Sequence, residues 1–215
     1  MQTKTLEVKA REAQPSGTFR VNEIFYSLQG EGKLAGTPMV FVRFSECNLR
    51  CSLTNAGFDC DTEFASATEM TTADILTKMN ELNPRKGWAL LTGGEPGLQL
   101  SGNLIAALRG DGWRLAIETN GTVALPSGID WVCVSPKSAE HTLKQRVAHE
   151  VKYVRNVGMA LPEPTIKADH YLISPAFEVD GSIKPETVVW CLELVKSAPE
   201  RWALSVQFHK LIGMR

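Results

Sequence analysis

The sequence predicts an α/β fold in which parallel strands form an incomplete, open (β/α) barrel. Three observations predict it. Strand-like and helix-like segments alternate along most of the chain, which implies parallel pairing through right-handed crossovers. At 215 residues, with few convincing helices, the chain falls short of the roughly 250 residues of a complete eight-fold barrel. Polar clusters fall where strands end, at Thr92-Gly93-Gly94-Glu95, Glu118-Thr119-Asn120, Ser135-Pro136-Lys137 and Gln207-Phe208-His209. Sheets of this class bind their ligands at the carboxyl ends of the strands.

Each element has its own justification. Residues 1–19 mix Lys, Glu, Arg and Gln without an apolar stretch. They are expected to form a poorly ordered leader rather than a secretion signal, with one domain over 20–215. Val21–Ser27 carries Ile24, Phe25 and Tyr26 and reads as a strand entering a glycine-rich turn. Met39–Phe44 is apolar at both parities, hence a strand buried on both faces. Thr72–Leu82 reads as a helix capped by Thr71 or Thr72, with Ile75, Leu76, Met79 and Leu82 as its apolar stripe. Trp88–Thr92, Arg114–Thr119 and Ile129–Ser135 read as strands that stop at Gly93-Gly94, Asn120-Gly121 and Pro136. Leu98–Leu108 is a second helix, and Pro185–Lys196 a third with proline at its start. Val151–Val154 and Tyr171–Ser174 are short strands, and Ala203–Phe208 is the last. Gly158–Pro164 is the most linker-like stretch, too short to demand a domain boundary.

Composition narrows the function. Hydrophobic residues make up 43% and charged residues 22%, as in an ordinary soluble globular protein. The 23 basic and 24 acidic residues leave a net charge of -1. There is no basic surplus to suit nucleic acid or an anionic membrane, so a small-molecule ligand is expected. The longest apolar runs, such as Trp88–Leu91, are too short to cross a bilayer. The protein is expected in the cytoplasm, where its five cysteines would be thiols, metal ligands or catalytic groups rather than disulfides.

Cys47, Cys51 and Cys60 lie in one loop directly after the strand Met39–Phe44. Three thiolates there can hold a structural zinc ion or an iron–sulfur cluster. Structural zinc wants four closed ligands in paired short spacings, and no fourth Cys or His lies nearby. Three ligands with one position open suit a cluster iron that binds something else. Cys133 and Cys191 sit within an apolar strand and a helix and read as core residues.

The sequence Cys47-Asn48-Leu49-Arg50-Cys51, followed by Cys60-Asp61-Thr62, resembles the cluster loop of radical S-adenosylmethionine (SAM) enzymes. Other segments resemble the 7-carboxy-7-deazaguanine synthase (QueE) family of that class. They are Glu23-Ile24-Phe25-Tyr26-Ser27-Leu28-Gln29-Gly30-Glu31-Gly32, Phe41-Val42-Arg43-Phe44 and Thr92-Gly93-Gly94-Glu95-Pro96. Ile117-Glu118-Thr119-Asn120-Gly121, Val134-Ser135-Pro136-Lys137 and Leu204-Ser205-Val206-Gln207-Phe208-His209-Lys210 complete the set. They run in family order from residue 23 nearly to the end. One departure stands out: eight residues separate Cys51 from Cys60, where the superfamily pattern has two.

The resemblance implies a radical SAM barrel with a [4Fe-4S] cluster on Cys47, Cys51 and Cys60. It implies contraction of the anionic bicycle 6-carboxy-5,6,7,8-tetrahydropterin to 7-carboxy-7-deazaguanine, with ammonia released. SAM bound at the open iron would supply a 5′-deoxyadenosyl radical and be regenerated. The SAM-contacting positions it implies are Asp59, Gly93, Gly94, Glu95, Glu118, Asn120, Ser135, Pro136, Lys137 and Ser174. Glu95 would meet the amino group, and the two glycines would let backbone approach the methionine moiety. The substrate positions are Leu28, Gln29, Gly30, Glu31, Arg43, Thr92, Gln207, His209 and Arg215. Arg43 issues from a buried strand and needs an anionic partner. A substrate carboxylate suits it, and an ion pair with Glu46 or Glu31 is the structural alternative. Thr62 would ligate Mg²⁺, a hard cation that takes few protein ligands. Alternatively Thr62 caps a turn with Asp61. The resemblance further implies an electron donor such as flavodoxin or ferredoxin, a homodimer, and a place in queuosine or other deazapurine biosynthesis. Two other readings use the same residues. A different radical SAM reaction, such as glycyl-radical activation, leaves Leu28–Gly32 and Arg43 unexplained. A zinc-stabilised binding module without catalysis would be colourless and indifferent to SAM.

Overall fold

A computed structural model describes residues 17–60, 62–63 and 65–214. Its strands are β1 (Thr18–Leu28), β2 (Pro38–Phe44), β3 (Thr68–Thr71), β4 (Trp88–Gly93), β5 (Arg114–Thr119), β6 (Trp131–Val134), β7 (Val147–Arg155), β8 (Lys167–Pro175) and β9 (Trp202–Leu204). The helices are α1 (Leu53–Ala56), α2 (Thr72–Leu82), α3 (Gly102–Gly110), α4 (Pro185–Ser197) and α5 (Phe208–Leu211). All nine strands share one sheet, in the order β3-β1-β2-β4-β5-β6-β7-β8-β9.

From β2 to β9 every neighbouring pair is parallel, as the alternation predicts. The other edge corrects that expectation. β1 pairs antiparallel with β2 and with β3. The β1–β2 connection is a short turn, and a parallel pair would need a long crossover. Residues 1–16, most of the expected leader, lie outside the described residues, whereas Thr18 and Phe19 already belong to β1. The linker-like stretch 158–164 joins β7 to β8, which pair in register from Val147↔Lys167 to Arg155↔Pro175.

Local chemistry accounts for the element boundaries. Thr71 caps α2, its hydroxyl accepting from Asp74 N while Asp74 accepts from Thr71 N. The second helix begins later than expected because Ser101 caps it, accepting from Leu104 N. Pro96–Leu98 is a separate turn of 3-10 helix. Pro185 opens α4 as expected. The expected last strand ends early, at Leu204.

The strands sort their side chains with period two. Val40, Val42 and Phe44 of β2, Ala89 and Leu91 of β4, Leu115 and Ile117 of β5 and Val151 and Tyr153 of β7 form the main core. Ile75 and Met79 of α2 and Leu104 and Leu108 of α3 cover it. On the opposite face Phe25, Met39, Phe41, Leu90 and Ala116 form a second, smaller core. The parity of that face also presents Arg43, Thr92, Glu118, Cys133 and Lys152. Arg43 lies beside Thr92 and Glu118 beside Cys133 in the parallel register. The inner face is therefore apolar at the amino ends of the strands and polar at the carboxyl ends.

Candidate active site

Two adjoining cavities, of about 180 and about 220 Å³, lie at those carboxyl ends. Glu31, Thr62, Thr92, Glu118 and Gln207 line both. The first adds the three thiols with Asp59, Gly93, Gly94, Asn120, Ser135 and Lys137. The second adds Leu28, Gln29, Gly30, Arg43 and His209. Nearly all the residues expected from sequence thus meet at one place.

The cysteine loop is held from below by glycines. At Gly93, with φ of 120°, an added Cβ would collide with the backbone of Phe44, and at Gly94 with the carbonyl of Glu46. These glycines serve first to let the end of β4 run against the chain that enters the loop. Gly94 N donates to Phe44 O at 3.0 Å and Glu95 N to Glu46 O at 2.8 Å. Arg20 pairs with the Glu46 carboxylate from β1.

The eight residues between Cys51 and Cys60 form an ordered turn. Ser52 N donates to Asn55 Oδ1 at 2.8 Å and Asn55 Nδ2 to Arg50 O at 2.8 Å. Asp59 accepts from Leu53 N at 3.0 Å. Gly57, with φ of 79°, ends α1 in the left-handed region. The turn then reaches across the mouth. Phe58 lies under the Lys137 ammonium, 4.9 Å from the ring centre, and Gly57 O accepts from Asn156 at 3.4 Å. Trp190 of α4 anchors that far side by donating to Met159 O at 2.9 Å.

Burial pushes the Cys47 thiol up to about 11, opposed by the Leu49 N–H and reinforced by Glu95 and the other two thiols. Burial also raises Cys51. Among the described residues no three His, Cys, Asp or Glu side chains converge on the site of a single ion. Thiolates of a cluster each hold a different iron and do not need to converge. Three thiols around one cavity, two of them half-buried, fit a cluster's donor set.

The wall between the cavities is built from buried charge. Glu31 enters it from the turn after β1, pairing with Lys152 and accepting from Gln207 Nε2 at 2.8 Å. Burial alone would raise the Glu31 carboxyl, but Lys152, then His209 and Gln207, bring it down to about 2. Lys152 also lies 3.5 Å from Glu118, which accepts from Gln29 at 3.0 Å and from Thr92 at 3.4 Å. Burial works against the lysine's charge, yet Glu118 and Glu31 hold its pKa well above the ordinary value. Burial lowers His209, with Glu31 pulling the other way. An added Cβ at Gly30 would run into the His209 ring, so this turn and α5 pack directly.

Arg43 finds neither partner expected of it. Glu46 is taken by Arg20 and Glu31 by Lys152. Its neighbour is Glu23, opposite it in the β1–β2 register, with Nε 2.9 Å from the carboxylate. The Nε–H is buried and not aimed at an acceptor.

Several expectations are corrected. Glu95 does not line either cavity. Its side chain is fully buried and accepts from Thr119 Oγ1 at 2.7 Å, Asn120 N at 2.7 Å and Gly97 N at 2.9 Å. It braces the floor beneath the first cavity. Pro136 and Ser174 stand behind the lining, which Pro175 joins. Gln207 and His209 come after the last strand, at the start of α5, not on it. Cys133 is buried in the core as expected, with the Glu150 carboxylate beside it. Arg215 and Asp61 lie outside the described residues. Sequence reasoning missed Lys152, Phe58 and Phe177 in the lining. For Lys152 a signal existed: a cation within the buried run Val151–Val154 needs a partner.

No family model matches the chain. Curated relatives do. The 7-carboxy-7-deazaguanine synthase of Bradyrhizobium diazoefficiens is 37% identical over 216 residues, covering 92% of this chain and all of the relative. Those of Bacteroides thetaiotaomicron and Haemophilus influenzae are each 39% identical, covering 91% of this chain and 98% and 94% of theirs. The chain belongs to the 7-carboxy-7-deazaguanine synthase family. The crystal structure of QueE from Escherichia coli superposes with a TM-score of 0.65 at 21% identity, over 89% of this chain and 95% of that one. That likeness bears on the fold: an open α/β sheet of mostly parallel strands.

Proposed function

We propose that the protein converts 6-carboxy-5,6,7,8-tetrahydropterin to 7-carboxy-7-deazaguanine with release of ammonia, in queuosine or another deazapurine pathway. Family membership supports the activity. The observation that carries the site is the pair of adjoining cavities with a shared wall, one ringed by thiols and glycines, the other by Arg43, His209 and Gln29. Cys47, Cys51 and Cys60 would hold a [4Fe-4S] cluster. A reduced cluster there would supply the electron for radical chemistry on bound SAM.

The chain's own residues then position and shield. Asn120, Ser135 and Lys137 would line the SAM side, with Phe58 and Phe177 excluding water. Lys137 is oriented for this by donating to Ser135 Oγ at 2.7 Å. Arg43, with its buried and unaimed Nε–H, would take the substrate carboxylate. Gln29, Glu31, Thr92, Gln207 and His209 would face the ring edge, and Glu118, expected on the SAM side, lines both cavities and would meet the ring as well. His209, held below its ordinary pKa, stands there as a neutral imidazole. Thr62, on the wall common to both cavities, would ligate Mg²⁺ together with substrate oxygens. Flavodoxin or ferredoxin as electron donor, a homodimer and a cytoplasmic location complete the proposal.

The test is iron and sulfide content after anaerobic reconstitution, EPR of the reduced protein with and without SAM, and turnover of the carboxytetrahydropterin. The expected result is a four-iron cluster whose spectrum SAM perturbs, with product formed. A colourless zinc protein that leaves the pterin unchanged would reject the proposal.

A further inference from the structure

Lys152 is the one cation in the wall that the family resemblance assigns no role, and the wall is organised around it. Its side chain is 6% exposed. Its ammonium meets Glu31 from the turn after β1 and Glu118 from β5. Both oxygens of each carboxylate are engaged. For Glu31 they are taken by Lys152 and Gln207. For Glu118 one faces Gln29 and Lys152 and the other Thr92. The lysine's backbone carbonyl accepts from Ser135 Oγ at 2.9 Å, which ties the same residue to the thiol-lined cavity. The other titratable groups facing it are Cys133 on β6 and His209 in α5, with Glu150 beyond on its own strand.

We infer that Lys152 is a positioning residue for the proposed reaction, holding Glu31 and Glu118 as a fixed, ionised carboxylate pair between the two cavities. The inference rests on the function proposed above. Two carboxylates that share one ammonium would repel in its absence. Without the lysine one would protonate and both would lose their orientation. Protonation would turn an acceptor on the wall into a donor, and the N–H groups of a tetrahydropterin ring would then meet a donor. Lys152 need not touch the ring for this.

The test uses the reconstituted protein, wild type beside Lys152→Met and Lys152→Arg. Binding of 6-carboxy-5,6,7,8-tetrahydropterin without SAM is followed by equilibrium dialysis from about pH 6.5 to about pH 9, on the alkaline side of the ordinary histidine value from which His209 is lowered. Turnover and iron content are measured alongside. Wild-type binding should be flat with pH. Lys152→Met should keep wild-type iron yet bind about 30-fold more weakly at the acid end and recover as pH rises and the carboxylates re-ionise. Lys152→Arg, which keeps the charge, should lie within about threefold of wild type. A purely structural role would give a loss independent of pH, or one that arginine shares. Either result, or wild-type binding in Lys152→Met, overturns the inference while leaving the function standing. A wild type that neither binds nor converts the pterin removes the function itself, and this inference with it.

Discussion

The two sides of the site are built differently. The thiol side is a loop, and its α1 turn buries no residue. It is held by local hydrogen bonds, one cation–π contact and glycines beneath it. The wall side draws on strands, the turn after β1 and the start of α5, with Gln29 and Lys152 buried and Glu31 nearly so, and each polar group answered by another from a distant part of the chain. The difference teaches where variation is tolerated. A loop whose task is to present three sulfurs can take six extra residues at modest entropic cost. A buried ion network cannot lose a member without leaving a charge uncompensated.

Removing chemistry from the loop should have the largest effect. Cys60→Ala leaves two thiols, too few to hold a cluster. Iron after reconstitution should fall to background and turnover should vanish, while the folded protein persists because Cys60 is exposed. Full iron content in the variant would mean that the loop's third ligand lies elsewhere.

On the wall side, Arg43→Ala should leave the cluster intact and weaken binding of the carboxylated pterin by about 2–3 kcal/mol, the scale of a hydrogen bond to a charged group. Dialysis on the iron-loaded variant measures it. An unchanged Kd would mean that Glu23 satisfies the guanidinium and the substrate carboxylate binds elsewhere.

What was legible in the sequence divides along the same line. The carboxyl-end clusters were legible because buried parallel strands read as apolar runs and their ends as polar punctuation. Lys152 was hidden because a short strand with one lysine looks like a core strand with an outlier. The pairing of Arg43 with Glu23 was hidden by the assumption of parallel strands, since those residues face each other only when β1 runs antiparallel to β2. β3 was missed because Thr68-Glu69-Met70-Thr71 lacks the alternation of a half-buried strand. The burial of Glu95 was hidden for a different reason. A motif names a residue, and only the structure shows that three donors already surround its carboxylate.

Acid should separate the wall from the loop more gently. Glu31 ionises in the folded protein at about 2, against an ordinary 4.5. Its folded pKa is depressed, so its contribution to stability is present above about 4.5 and fades as pH falls toward 2. Unfolding midpoints over that window should slope for the wild type and be flatter for Glu31→Gln. Parallel curves would mean that Lys152 is balanced by Glu118 alone.

The smallest effect expected is at the contact where the two sides meet across the mouth. Phe58→Ala removes the ring beneath Lys137, 4.9 Å from its ammonium. At a partly exposed site this contact is worth about 0.5–1 kcal/mol, or a Tm lower by about 1–4 °C for a domain of this size. The loop keeps its Gly57–Asn156 hydrogen bond, so iron content should hold. Lys137 would lose its rest but keep Ser135. If the turn only decorates the surface, SAM cleavage stays coupled to product. If it shields the cavity as its placement implies, 5′-deoxyadenosine should accumulate without product, because water and stray hydrogen donors reach a site that Phe58 had covered. The ratio of 5′-deoxyadenosine to 7-carboxy-7-deazaguanine, with Tm measured beside it, decides whether the lengthened loop is a spacer or a cover.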